Sequence, residues 1–192
     1  ISIVAFLMLS LTAFCQGGVN FEHITFDGAL AKAKAENKLV FMDCYTSWCG
    51  PCKYMSETIF PQEKAGEFFN PKFVCVKFDM EKGEGPELAK KFGVRAYPTF
   101  VIVNPDGTIR HKLVGGGEGE QFIERVKESF DDNKALGVLD VKYNNGDRDK
   151  AFLAQYAQVM VANYDPNAKA IVDELLKIST DEEKLSEDYW FI

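Results

Sequence analysis

Residues 39–53 read Leu39-Val40-Phe41-Met42-Asp43-Cys44-Tyr45-Thr46-Ser47-Trp48-Cys49-Gly50-Pro51-Cys52-Lys53, and the fold is decided there. Leu39 to Met42 is a continuous apolar run, the pattern of a strand in a sheet covered on both faces. It delivers the chain to a Cys-x-x-Cys, after which residues 53–69 have helical spacing that Pro61 interrupts. A strand followed by a helix puts Cys49 at the helix N-terminus, where free amides and the macrodipole favour a thiolate. Cys52 then lies one turn inside, close enough to resolve a mixed disulfide on Cys49. Gly50 and Pro51 suit the first helical turn, where proline sacrifices no amide bond. Asp43 directly follows the apolar run, so it is expected to be buried with a raised pKa, placed to accept the Cys52 proton. The alternative is a carboxylate turned to solvent at the strand end. Lys77 is a candidate charge partner for Asp43, although exposure is the commoner state of a strand lysine.

Outward from this stretch, residues 26–37 predict an Ala-rich helix that starts near Asp27 and stops at Asn37. Strands are expected over 73–79 and 99–103, and a helix over 85–92 with Pro86 in its first turn. Asn104-Pro105-Asp106-Gly107 turns the chain into a hairpin strand over 108–114, and a helix over 118–130 follows. This order predicts an α/β protein with a mixed sheet and helices on both faces. Beyond Asp131 the strands stop. Short amphipathic helices remain, punctuated by Asn144-Asn145-Gly146-Asp147 and Asp165-Pro166, with Thr180-x-x-Glu183 as a capping box and no internal repeat period.

The chain of 192 residues carries 22 Lys and Arg against 29 Asp and Glu, a net charge of -7. The acidity belongs to residues 131–192, with 13 acids against 7 bases, while residues 1–130 hold 16 against 15. No basic stripe with interleaved aromatics appears, which argues against nucleic acid as a partner. Ile1 to Phe14 is uncharged and apolar, as in a signal peptide, with cleavage after Cys15 as the leading reading and a lipid-anchored Cys15 as the alternative. Fourteen apolar residues are too few to span a membrane. The expected organisation is a leader over 1–15, an α/β domain over 16–130 and a helical extension over 131–192. The apolar ending Tyr189-Trp190-Phe191-Ile192 suggests trimming there.

If Asp43 and Lys77 share a sheet face, the period of two places Cys75 with them and Cys44 on the other face. Both are expected to be buried, inert thiols that do not bond each other. His23 and His111 lack the spacing of a zinc site, and Gly115-Gly116-Gly117-Glu118-Gly119 lacks that of a nucleotide loop. No metal or organic cofactor is implied.

The run Trp48-Cys49-Gly50-Pro51-Cys52-Lys53, with Asp43 before it and Tyr97-Pro98-Thr99 after it, resembles the thioredoxin superfamily over residues 26–130. The resemblance implies a thioredoxin fold, followed here by a small all-helical segment. It further implies that Pro98 is cis and faces the sulfurs, that Tyr97 presents its backbone to substrate, and that Gly115 or Gly116 is the family's groove glycine. Trp48, Gly50 and Pro51 complete the implied substrate surface. Tyr54 to Phe60 lacks the helix-kinking proline of ordinary thioredoxins, and with residues 43–47 it looks more like exported relatives, among them the C-terminal domain of the periplasmic membrane thiol reductase. The implied activity is disulfide exchange with exported proteins in the periplasm, as reductant or isomerase, with a membrane thiol reductase as electron donor. The alternative from another class is a binding or scaffolding module whose helical extension recruits a partner. Oligomeric state is not legible.

Overall fold

The computed structural model describes residues 17–192, so the expected leader lies outside the described residues. Five strands form one sheet: β1 (Phe21–Glu22), β2 (Leu39–Tyr45), β3 (Phe73–Asp79), β4 (Thr99–Val103) and β5 (Ile109–Val114). Their spatial order is β1-β3-β2-β4-β5, with β1 and β2 parallel to β3, and β4 antiparallel to both β2 and β5. Around it lie α1 (Phe26–Glu36), α2 (Gly50–Tyr54), α3 (Glu63–Phe69), α4 (Gly85–Phe92) and α5 (Gly119–Lys127). This is the mixed sheet that the sequence predicts, with the two-residue β1 added at an edge.

Local chemistry sets the boundaries. The cap of α1 is Thr25 rather than Asp27, because the extended Thr25 can accept the Gly28 amide on its hydroxyl. Asn37 ends the helix in the left-handed conformation, φ 53°. The helical stretch over 53–69 is interrupted at Pro61 as expected, and α2 runs on as a π turn over Met55–Ile59 before α3 begins.

Both faces of the sheet are covered. Val40, Met42 and Cys44 of β2 pack with Phe26, Ala33 and Leu88 from α1 and α4. Phe41 and Cys75 face the other way, against Met55, Ile59, Phe69 and Phe122. That second face is dominated by aromatic rings. Phe41 stacks on Phe100 at 5.5 Å between centroids and meets Phe69 edge-on at 4.6 Å. Each such ring, fully buried, contributes about 1.5–3 kcal/mol by transfer alone, so the π segment over this face has a firm floor.

The extension forms α6 (Leu136–Asn144), α7 (Lys150–Ala162), α8 (Ala168–Ile178) and α9 (Asp181–Lys184), and the capping box of Thr180 and Glu183 is present. Of these, α6, α7 and α8 share a core of their own that includes Leu139, Leu153 and Leu175. They also lean on β5, an edge strand. Leu136 donates its amide to His111 Nδ1 at 3.1 Å, and Lys112 Nζ lies 3.7 Å from Asp165. No helix among the described residues is long and apolar enough to cross a membrane.

The tightest contact is at Gly137, where an added Cβ would fall 1.8 Å from the Ile109 carbonyl oxygen. Gly137→Ala is therefore expected to lower stability by about 1–3 kcal/mol, the usual cost of overpacking. Urea unfolding measures this, and an unchanged midpoint would mean that α6 does not rest on β5.

Candidate active site

β2 ends at Tyr45, and a turn closed by the Cys49 amide on the Thr46 carbonyl, at 3.2 Å, carries the chain into α2. Cys49 is the N-cap of that helix: its Sγ accepts the Cys52 amide at 3.1 Å. Cys49 and Cys52 are joined in a disulfide, their Cα atoms 5.3 Å apart, with Pro51 in the first turn. Once reduced, a sulfur at Cys49 would have an amide and a helix start directed at it, and both favour the thiolate. Both cysteines are buried, Cys49 at 6 % exposure and Cys52 at 3 %.

Trp48, Tyr97, Pro98 and Gly115 come together beside this helix. The Tyr97–Pro98 peptide bond is cis. The Gly115 amide donates to the Pro98 carbonyl at 2.8 Å, and Gly115 has a φ of 81°, which favours glycine. At Gly116 a Cβ would come within 2.9 Å of Met55 Sδ, with the Pro98 ring just beyond. Met55 follows Cys52 by less than one turn, so the Gly115–Gly116 loop rests on both Pro98 and the segment that carries the cysteines. Trp48, 67 % exposed, sits edge-on to Tyr97 at 5.8 Å and donates its indole N–H to Glu81 at 3.0 Å. An exposed aromatic shelf thus adjoins the disulfide.

Asp43 is buried, and neither carboxylate oxygen has a hydrogen-bond partner. It lies on the Phe41 face of β2, the face that Met55 and Ile59 cover, and so beneath the cysteine-bearing segment. Burial pushes its pKa up to about 7, partly offset by the positive charge of Lys77. Lys77 stands opposite Asp43 in the β2–β3 register, yet its ammonium lies over the Phe21 ring, 5.4 Å from the centroid. It acts on Asp43 through space, without contact. Cys44 and Cys75 are free, buried and on opposite faces of the sheet, and burial raises both thiols. Among the described residues, no group of His, Cys, Asp or Glu side chains is arranged to hold a metal ion.

Three residues near the site escape sequence reasoning. Glu81 anchors Trp48, Glu118 accepts from the Tyr54 hydroxyl at 3.2 Å, and Arg125 donates to the backbone of the Gly115–Gly116 loop. Each looks in the sequence like an ordinary surface charge, and no local pattern marks it.

Comparison with known proteins agrees with this geometry. The profile of the family described as "Thioredoxin-like domain" matches residues 26–129. A solution structure of a candidate disulphide-isomerase from Bacteroides thetaiotaomicron is 43 % identical, with a TM-score of 0.56 over 61 % of this chain and 97 % of that one. Thioredoxin Y1 of Arabidopsis thaliana is 32 % identical over 106 residues, 55 % of this chain and 58 % of that protein. The thiol:disulfide interchange protein DsbD of Pseudomonas fluorescens is 29 % identical over 101 residues, 51 % of this chain and 17 % of that protein. The chain thus spans less than two thirds of the length of either of these two relatives. With the family profile covering more than half of its residues, this chain belongs to the thioredoxin-like family.

Proposed function

We propose that the chain exchanges dithiol for disulfide with exported protein substrates through Cys49-Gly50-Pro51-Cys52, as a reductant or isomerase recharged by a membrane thiol reductase. The observation that carries this reading is the placement of Cys49 Sγ as a helix cap, accepting the Cys52 amide at 3.1 Å beside an exposed aromatic shelf. The uncharged run Ile1–Phe14 supports export, and the likeness to DsbD and to the Bacteroides protein supports a thiol donor and a disulfide substrate.

In the reduced protein the Cys49 thiolate attacks one sulfur of the substrate disulfide. A Cys49–substrate bond forms, the substrate S–S bond breaks, and the departing thiolate takes a proton from water. Cys52, losing its proton to Asp43, then attacks Cys49 Sγ, which closes Cys49–Cys52 and frees the second substrate thiol. Two electrons have passed to the substrate, and an external dithiol restores the reduced pair. A carboxyl group with a pKa near 7 suits this relay, because it can hold the Cys52 proton and release it at neutral pH. Trp48, Gly50, Pro51, Tyr97, Pro98 and Gly115 form the surface on which the substrate segment lies, and Lys77 moderates the Asp43 charge.

Dithiothreitol-driven reduction of insulin tests the roles of the two sulfurs. Cys49→Ser is expected to abolish turnover, whereas Cys52→Ser still attacks and accumulates a mixed disulfide visible on a non-reducing gel. The reverse pattern would assign the nucleophile to Cys52.

Asp43 gives a second test, read as stability with the disulfide closed. Its folded pKa of about 7 lies above the ordinary 3.8, so between these values the folded state holds a proton that the unfolded state has released. Stability from this group is therefore greatest below pH ~4, falls as the pH rises to ~7, and is flat above. The urea midpoint of Asp43→Asn minus that of the wild type is expected to grow across that window and then level off. A difference that does not change with pH would remove Asp43 as the titrating group.

A further inference from the structure

Arg125, near the C-terminal end of α5, is half-buried and directs its guanidinium entirely at backbone. Nη2 donates to the Val114 carbonyl at 2.8 Å, and Nη1 donates to those of Gly116 at 3.0 Å and Gly115 at 3.3 Å. It makes no ion pair among the described residues. Three consecutive carbonyls that converge on one point repel one another, and a planar cation with several donors is the side chain suited to gathering them. The far side of Arg125 borders a cavity of about 210 Å³ shared with His111 and with Gln155, Gln158 and Val159 of α7.

The gathered loop faces the redox site with its other side. There the Gly115 amide holds the Pro98 carbonyl, and Gly116 lies against Met55 and the Pro98 ring. We infer that Arg125 is a positioning residue for disulfide exchange: it holds the Gly115–Gly116 loop against Pro98 and Met55, and so keeps the Tyr97–Pro98 backbone set for an extended substrate segment. The inference rests on the functional reading above. Arg125 touches no reacting atom, so its effect belongs to substrates that pair with this backbone. A small disulfide that needs only the Cys49 sulfur does not depend on it.

The test uses the full chain with Arg125→Met and Arg125→Lys, and three readouts: insulin reduction, the rate at which the reduced protein attacks a small aromatic disulfide, and the urea midpoint. Losing the three carbonyl bonds in Arg125→Met is expected to raise the insulin KM about tenfold, with kcat and the small-disulfide rate within about twofold of wild type. Arg125→Lys, whose single ammonium reaches fewer carbonyls, is expected to fall between. An unchanged KM overturns the inference, and so does a parallel fall of both reactivities with the urea midpoint, the mark of a structural role only. If Arg125→Met does not fold, Arg125→Lys decides: a raised KM with the small-disulfide rate held supports the inference, and an unchanged KM overturns it. Wild type that fails to reduce insulin overturns the functional reading and this inference together, whereas wild-type turnover with an unaltered variant KM overturns the inference alone.

Discussion

β2 is the reference for everything at the redox site, because it is central in the sheet and buried on both faces. A strand with one wet face tolerates a register slip at modest cost, whereas here a slip of one residue exchanges the two sets of side chains between differently shaped cores. Val40, Met42 and Cys44 fit the face covered by α1 and α4, and Phe41 fits the ring cluster on the other. Once Phe41 is fixed, so is Asp43, two residues on. The carboxylate is then committed to the face that the cysteine helix covers, without a hydrogen-bond partner of its own. The energy of the Phe41 cluster holds that unfavourable group where the chemistry can use it.

The same reasoning explains which elements were legible in the sequence. β3, β4 and α4 are marked by apolar runs, or by a proline at the start and a glycine at the end, and their bounds follow from those signals, whereas β2 continues past its apolar run, which ends at Met42, to Tyr45. β1 has two residues, too few for any period to show, and it exists because β3 offers a parallel edge at Cys75 and Val76. The π turn is equally silent, since Met55 and Ile59 are both buried and fit an α-helical reading as well. Of the site, Cys49, Cys52 and Asp43 stand out because their chemistry is costly or unusual where the pattern puts them. Arg125, Glu81 and Glu118 do not, because a charged residue on a helix or loop is the default surface and only the backbone it meets reveals a role.

Docking of the extension depends on polar groups that look exposed in the sequence. His111 and Lys112 sit in an edge strand where hydrophilic side chains are ordinary, yet both are buried beneath the extension. His111 accepts the Leu136 amide on Nδ1, so the imidazole must be neutral there, and burial with the nearby Arg125 and Arg110 charges lowers its pKa to about 4. The folded value lies below the ordinary 6.5, so the unfolded chain binds the extra proton between them. Stability from His111 is complete above pH ~6.5 and is lost as the pH falls toward ~4. This slope is opposite in sign to that of Asp43 over most of the same window. The two offset each other in the wild type, and a flat stability curve between pH ~4 and ~6.5 would therefore be no sign that either group is silent. Only a comparison that removes one of them separates the carboxylate under the redox helix from the imidazole under the extension.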